Sequence, residues 1–157
     1  MLKHLITLTI VLLSRNSSAQ IHDTAPLNET FHGAVLFKID KQDRLVMDLM
    51  EDGIRFRQDI VRLSDLDPDA LSYAEEEDGI ALKCRTDRAQ CISKEIFKLD
   101  VVRITSRVTI PRPHDDTDGQ HAVALLRDLI ATAMKANDES NAETPAPGER
   151  KNARKEP

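Results

Sequence analysis

Gly79-Ile-Ala-Leu-Lys-Cys84, then Arg85-Thr-Asp-Arg-Ala-Gln90, then Cys91-Ile-Ser-Lys-Glu-Ile-Phe97 is the stretch that decides the fold class. Two short runs of β-type composition flank a polar interval and carry the chain's only two cysteines, so they read as a hairpin stapled near its tip by Cys84–Cys91. The register of such a hairpin raises a conflict. With the cysteines opposite each other, Ile80 and Leu82 share a face with Ser93, Glu95 and Phe97, while Ile92 and Ile96 point away. A β-bulge near Ser93 or Lys94 is therefore expected, because one inserted residue returns Ile96 to the core side.

Outward from this pair the period of two continues. Val35, Phe37 and Ile39 alternate with Ala34, Leu36 and Lys38, and after Asp40-Lys-Gln-Asp43 the pattern resumes at Leu45, Met47 and Leu49. Glu51-Asp-Gly53 is a hairpin turn signal, since Gly takes a positive φ at no steric cost. Beyond it Ile54, Phe56 and Ile60 are expected inside, with Arg55, Arg57 and Asp59 outside and Gln58 as a polar break on the buried side. Ser64-Asp-Leu-Asp-Pro-Asp69 is loop chemistry, and Ala70 to Ala74 suits a short strand. Val102, Ile104, Val108 and Ile110 read as the inward side of one long strand whose outward side is Arg103, Thr105, Arg107 and Thr109; Pro111 and Pro113 end it. Thr117 and Gln120 have capping-box spacing, with Asp118 as a competing cap, and Ala122 to Ala133 carries the broad apolar stripe of a helix packed on a sheet.

The ends divide off by composition. Residues 1–19 read as a secretory signal: Lys3 and His4 precede an uncharged apolar run from Leu5 to Leu13, and Ser17-Ser-Ala19 supplies small residues for cleavage before Gln20. That run is about half the ~20 residues a membrane-crossing helix needs, so cleavage is favoured over a retained anchor and no stable membrane anchor is expected in the mature chain. Residues 20–31 read as a flexible lead-in, 32–136 as a β domain with a capping C-terminal helix, and 137–157 as a disordered polar tail without large apolar side chains. Within 157 residues this leaves room for one core.

The order of about seven short antiparallel strands followed by one amphipathic helix resembles the pleckstrin-homology-type fold, a bent sandwich or partly open barrel closed at one end by a helix. The residues that carry the resemblance are Val61-Arg-Leu-Ser-Asp-Leu-Asp67, Ile80-Ala-Leu-Lys-Cys84, Cys91-Ile92 and the Ala122–Ala133 helix, and it spans roughly His32 to Ala136. What it implies is a binding or scaffold role. It does not carry over a phosphoinositide site, because the first hairpin loop, Asp40-Lys-Gln-Asp-Arg44, is mixed in sign, and the closing helix lacks the usual Trp.

Composition narrows the function further. The formal charge of −5, made more negative by two when Lys3 and Arg15 leave with the signal, repels phosphate backbones, so a nucleic-acid partner is not expected. With no Trp, four Phe and Tyr73 alone, the core must be aliphatic and an aromatic-lined groove is not expected. The cysteines suit a structural disulfide in an oxidising compartment, which points to a secreted or extracytoplasmic protein. Asp65, Asp67, Asp69 and Glu76 match acidic positions of an EF-hand loop, but Ala70 stands where the turn glycine belongs and Pro68 stiffens the loop, so a solvated acidic turn is the reading. His114-Asp-Asp-Thr-Asp118 is read as acids favoured ahead of a helix N-terminus. No nucleophile elbow, phosphate-cradling glycine loop or cofactor motif is present, and the histidines lack metal-ligand spacing.

What remains is a binding module. Arg55 and Arg57 on one strand, with Arg103 and Arg107 on another, would form a face for a protein or anionic partner if those strands are neighbours. A small-molecule or lipid carrier is the second reading, and it would need a cavity lined by Met47, Met50, Phe56 and Phe97.

Overall fold

The computed structural model describes residues 22–142. The chain runs α1 (Ala25–Phe31), β1 (Val35–Ile39), β2 (Arg44–Glu51), β3 (Ile54–Arg62), β4 (Ser72–Ala74), β5 (Gly79–Lys83), β6 (Ile92–Ile96), β7 (Val101–Thr105), β8 (Arg107–Pro111) and α2 (Gln120–Ala142). The strands form two antiparallel sheets, a five-stranded one in the order β1-β2-β3-β6-β7 and a three-stranded one in the order β4-β5-β8. This is the mainly β, bent-sandwich architecture expected, with no closed barrel and with α2 at the C-terminal end.

The sheets alternate along the chain, and that changes the reading of two segments. β5 and β6 are not a hairpin: β5 pairs with β4 and β8, whereas β6 pairs with β3 and β7. Cys84–Cys91 is formed, with Cα atoms 5.8 Å apart, but it ties the strand end of one sheet to the strand start of the other. Because Ile80 and Leu82 belong to a different sheet from Ile92, the register conflict disappears. β6 needs no bulge, and its pairing with β3 and β7 is unbroken.

The register shift falls instead between Leu49 and Met50, where Phe56 is the extra residue on β3. It reverses the expected sidedness of that strand. Beyond the bulge Arg57, Asp59 and Val61 stand opposite Leu49, Met47 and Leu45 on the core-facing side, and Asp59 and Val61 are buried.

The long strand expected after Asp100 is likewise two strands, β7 and β8, separated at Ser106 where the chain passes between sheets; Cys84 N–H donates to the Ser106 carbonyl at 2.8 Å. Val108 and Ile110 are buried as expected, but Val102 and Ile104 are exposed. The crossing inverts which side of the chain meets the core.

The lead-in is partly ordered. Pro26 at the start of α1 fits a position whose N–H needs no partner, and Leu27 and Phe31, one turn apart, are buried on the same face. The Phe31 and Phe37 rings meet edge-on at 4.9 Å. The start of α2 is fastened by Asp116, whose two carboxylate oxygens accept from His121 N–H (3.3 Å) and Ala122 N–H (2.8 Å). Asp118 adds a bond to Gln120 N–H, and the Thr117 capping box does not form. Gly119 at φ +67° allows this turn, and a Cβ there would lie 2.7 Å from Ile80 Cδ1.

Ala122, Val123, Leu126, Leu129, Ile130 and Ala133 of α2 join Leu27 and Phe31, the inner faces of both sheets and Leu63, Leu66 and Leu71 in one aliphatic core. α2 extends to Ala142, past the expected boundary at 137, because no Gly or Pro interrupts Ala136 to Ala142 and a polar helix end can remain solvated. The signal segment 1–19 and the remaining tail, 143–157, lie outside the described residues.

Candidate binding surface

The four arginines singled out by sequence do not form one face. Arg55 stands opposite Met50 on the outer side of the five-stranded sheet, where its guanidinium lies 4.5 Å from the centroid of the Phe97 ring and Nη1 donates to Asp48 Oδ1 at 3.2 Å. Arg57 is on the opposite side of the same strand, with a side chain only 13% exposed. Its Nε and Nη2 donate to Asp59 Oδ2 at 3.1 and 2.8 Å, and Nη2 also reaches the Thr109 carbonyl of β8 at 2.7 Å. Arg107, in the other sheet, pairs with Glu77. Arg103 on β7 is exposed and shares a cross-strand row with Lys94.

That row is the unusual feature of the inner side. Phe37, Met47, Asp59, Lys94 and Arg103 stand opposite one another across the five strands, so the row passes from apolar to ionic as it leaves the core. Asp59 is fully buried and its Oδ1 has no hydrogen-bond partner. Burial pushes its carboxyl above the ordinary range, against the opposing pull of Arg57 and Lys94. Lys94 is pushed down by burial and by Arg57 and Arg103, with Asp59 opposing. Arg57 and Lys94 thus flank one carboxylate that Arg57 already engages, and Arg103 stands one strand further out, opposite Lys94. The surplus positive charge emerges at Arg103, on the rim.

The outer side carries a second, satisfied network. Asp48, buried between strands, accepts from Lys38 Nζ (2.7 Å), Arg55 Nη1 and Gln58 Nε2. Burial alone would raise its pKa, but the bonds from Lys38, Gln58 and Arg55 together outweigh burial and hold it below the ordinary range. The centre of this side is thus polar, with Glu95 and Ser93 of β6 continuing it, and exposed apolar side chains stand at the sheet's two edges. Leu36 on β1 is 42% exposed, and at the opposite edge Val102 and Ile104 on β7 are 62% and 53% exposed.

The sheet edges differ sharply. Along β1, the Asn28 side chain of α1 acts as a substitute strand: Phe37 N–H donates to Asn28 Oδ1 at 2.7 Å, and Asn28 Nδ2 donates back to the Phe37 carbonyl at 2.9 Å. Thr24 Oγ1 adds a bond to the same carbonyl at 3.1 Å. On β8, Arg57 occupies the Thr109 carbonyl. β4 is only three residues long and contacts α2. β7 has β6 on one side, and no described residue pairs with its other edge.

The other candidates separate. Asp65 pairs with Arg88 at 3.4 Å, Asp67 Oδ1 accepts from Asp69 N–H, and His114 lies against Asp115 at 3.1 Å. Among the described residues no group of three or more His, Cys, Asp or Glu side chains is placed to hold a metal ion. The side chains named for a carrier cavity are divided, since Met47 is buried on the inner side while Met50 and Phe97 belong to the outer side with Arg55. A cleft of about 490 Å³ at the disulfide corner is lined by Arg62, Arg85 and Arg88 together with Asp65, Asp87 and Asp138, a balanced set of charges. No described helix is long and apolar enough to cross a membrane.

Sequence reasoning missed Asn28, Asp48, Asp59 and Lys94. The available signal was Asp59-Ile-Val-Arg-Leu63: Val61 and Leu63 are in phase with Asp59, which marks the inner side once the bulge is allowed. Comparisons with protein-family models, curated proteins and solved structures return no match to this chain.

Proposed function

We propose that this chain is an exported, non-catalytic binding domain that recognises a protein partner through the outer side of its five-stranded sheet. The observation that carries the reading is the pair Val102 and Ile104, two residues apart on the outer side of the edge strand β7 and both more than half exposed, on a sheet whose inner side meets the core through Val35, Phe37, Leu45, Met47 and Val61. Exposed apolar area of this kind has a cost in water and marks an interaction surface. The signal-like residues 1–19 and the formed disulfide support export. The strands-then-helix order supports the pleckstrin-homology-like reading and its binding role. A photo-crosslinking residue at Val102, compared with one at the solvent-facing Ala131 of α2, tests this in the extracytoplasmic fraction. A single adduct specific to position 102 and abolished by Ile104→Asp is expected; equal labelling from both positions would overturn the choice of surface.

A further inference from the structure

Resting on that reading, we infer that the partner binds by strand addition: an extended segment with alternating apolar and acidic residues pairs with the free edge of β7. Two independent features lead there. The first is the treatment of edges. Unpaired backbone groups on a sheet edge are a template for another strand, and proteins normally blunt them. Here Asn28 satisfies both polar groups of Phe37 on β1, Arg57 satisfies the Thr109 carbonyl on β8, and β4 is cut to three residues. On β7, Val101-Val-Arg-Ile-Thr105, no described side chain bonds the backbone of Val101 to Ile104; the strand is β-branched at four of five positions, with neither Pro nor Lys, and its one guard is the inner-side charge of Arg103, which an acidic residue on an incoming strand would neutralise.

The second feature is what the two sides of that edge present. On the outer side are Val102 and Ile104, exposed and apolar. On the inner side is Arg103, exposed at the end of the row Asp59–Lys94–Arg103, in which the Asp59 carboxylate is already bonded by Arg57 and the outermost two positions are both cationic. A strand laid beside β7 has the same period of two, so residues next to Val102 and Ile104 must be apolar and the residue opposite Arg103 must be acidic. A second copy of this chain is a poorer occupant. Antiparallel self-pairing over the full length of β7 sets Arg103 directly against its counterpart, and like charges in that position destabilise. The backbone supplies affinity and the Arg103 position supplies selectivity, as in other strand-addition complexes.

The probe is a short capped peptide alternating Val and Glu, titrated to millimolar concentration into the full chain, with amide hydrogen exchange read by NMR. The expected result is slower exchange at alternate amides of β7. A peptide alternating Val and Lys should bind about fivefold more weakly, and Arg103→Glu, an exposed position that leaves the fold intact by circular dichroism, should reverse that preference. N-methylating the peptide on the edge that meets β7 should abolish protection, and on the other edge should not. Unchanged β7 exchange while the Val102 crosslink still forms would overturn strand addition and leave the binding surface standing; loss of both removes the two readings together. Sedimentation showing a concentration-dependent dimer with protected β7 amides would overturn the acidic partner in favour of a second copy.

Discussion

Replacing Asn28 by Ala tests the substitute strand that closes the β1 edge. Phe37 is buried, so its N–H loses Asn28 Oδ1 at a part-buried position, while its carbonyl loses Nδ2 but keeps Thr24 Oγ1. An orphaned buried donor costs about 1–3 kcal/mol, and a lost bond to a still-satisfied acceptor adds less than about 1 kcal/mol, for a total near 2.5 kcal/mol. For a domain of this size that lowers the melting temperature by about 10 °C. Leu27 and Phe31 continue to hold α1 by packing, so the loss is confined to the edge. Thr24→Val alone should cost only about 0.5 kcal/mol, but in the Asn28→Ala background it removes the carbonyl's last donor, and the two changes together should exceed their sum. Urea unfolding gives the energies, and the exchange rate of the Phe37 amide locates them. An Asn28→Ala protein with unchanged stability and a slow Phe37 amide would refute the reasoning.

Three further outcomes follow from the same physics. Cys84→Ser with Cys91→Ser should lower stability by about 2.5 kcal/mol in the chain-entropy estimate for so short a loop, measured by denaturant unfolding without reductant, while the fold persists. Asp116→Ala frees two N–H groups at the start of α2 and should cost about 1–2 kcal/mol, with faster exchange at His121 and Ala122. In a carbon-detected titration, Asp48 should titrate below and Asp59 above the ordinary Asp range. The two therefore act in opposite directions on acid stability. The stabilisation from Asp48 is present above the unfolded-state value and is lost as pH falls through its lowered pKa; the contribution from Asp59 is complete below the unfolded-state value and is lost as pH rises through its raised pKa. Asp48→Asn should flatten the acid loss of stability and Asp59→Asn should steepen it.

The fold class was legible because it rests on period and punctuation. Val35, Phe37 and Ile39, then Leu45, Met47 and Leu49, keep a period of two with Lys38 and Asp48 between them, Gly53 marks the turn, and the stripe from Ala122 to Ala133 shows one helix face. Sheet membership was not legible, because a strand that crosses between sheets keeps the same local pattern; Val102 and Val108 look alike in sequence and end on opposite sides of the solvent boundary. Charges misled for a related reason. Arg57 and Asp59 satisfy one another two residues apart on a strand, so a pair that reads as a solvated face is folded inward as a unit. The proposed recognition surface inherited both errors: the four arginines are dispersed, and Val102 and Ile104 are at the surface.

Cys84 and Cys91 stand seven positions apart, while the pairing that completes the three-stranded sheet waits for β8, the last strand made. The cross-link therefore needs only local chain closure, and with two thiols in the chain it has one intramolecular pairing. Once closed, it fixes the corner at which β5 leaves one sheet and β6 enters the other, one of three such crossings among the described strands. The covalent link thus holds the two sheets together at this corner over a separation of seven residues, whatever the state of the longer-range pairings around it.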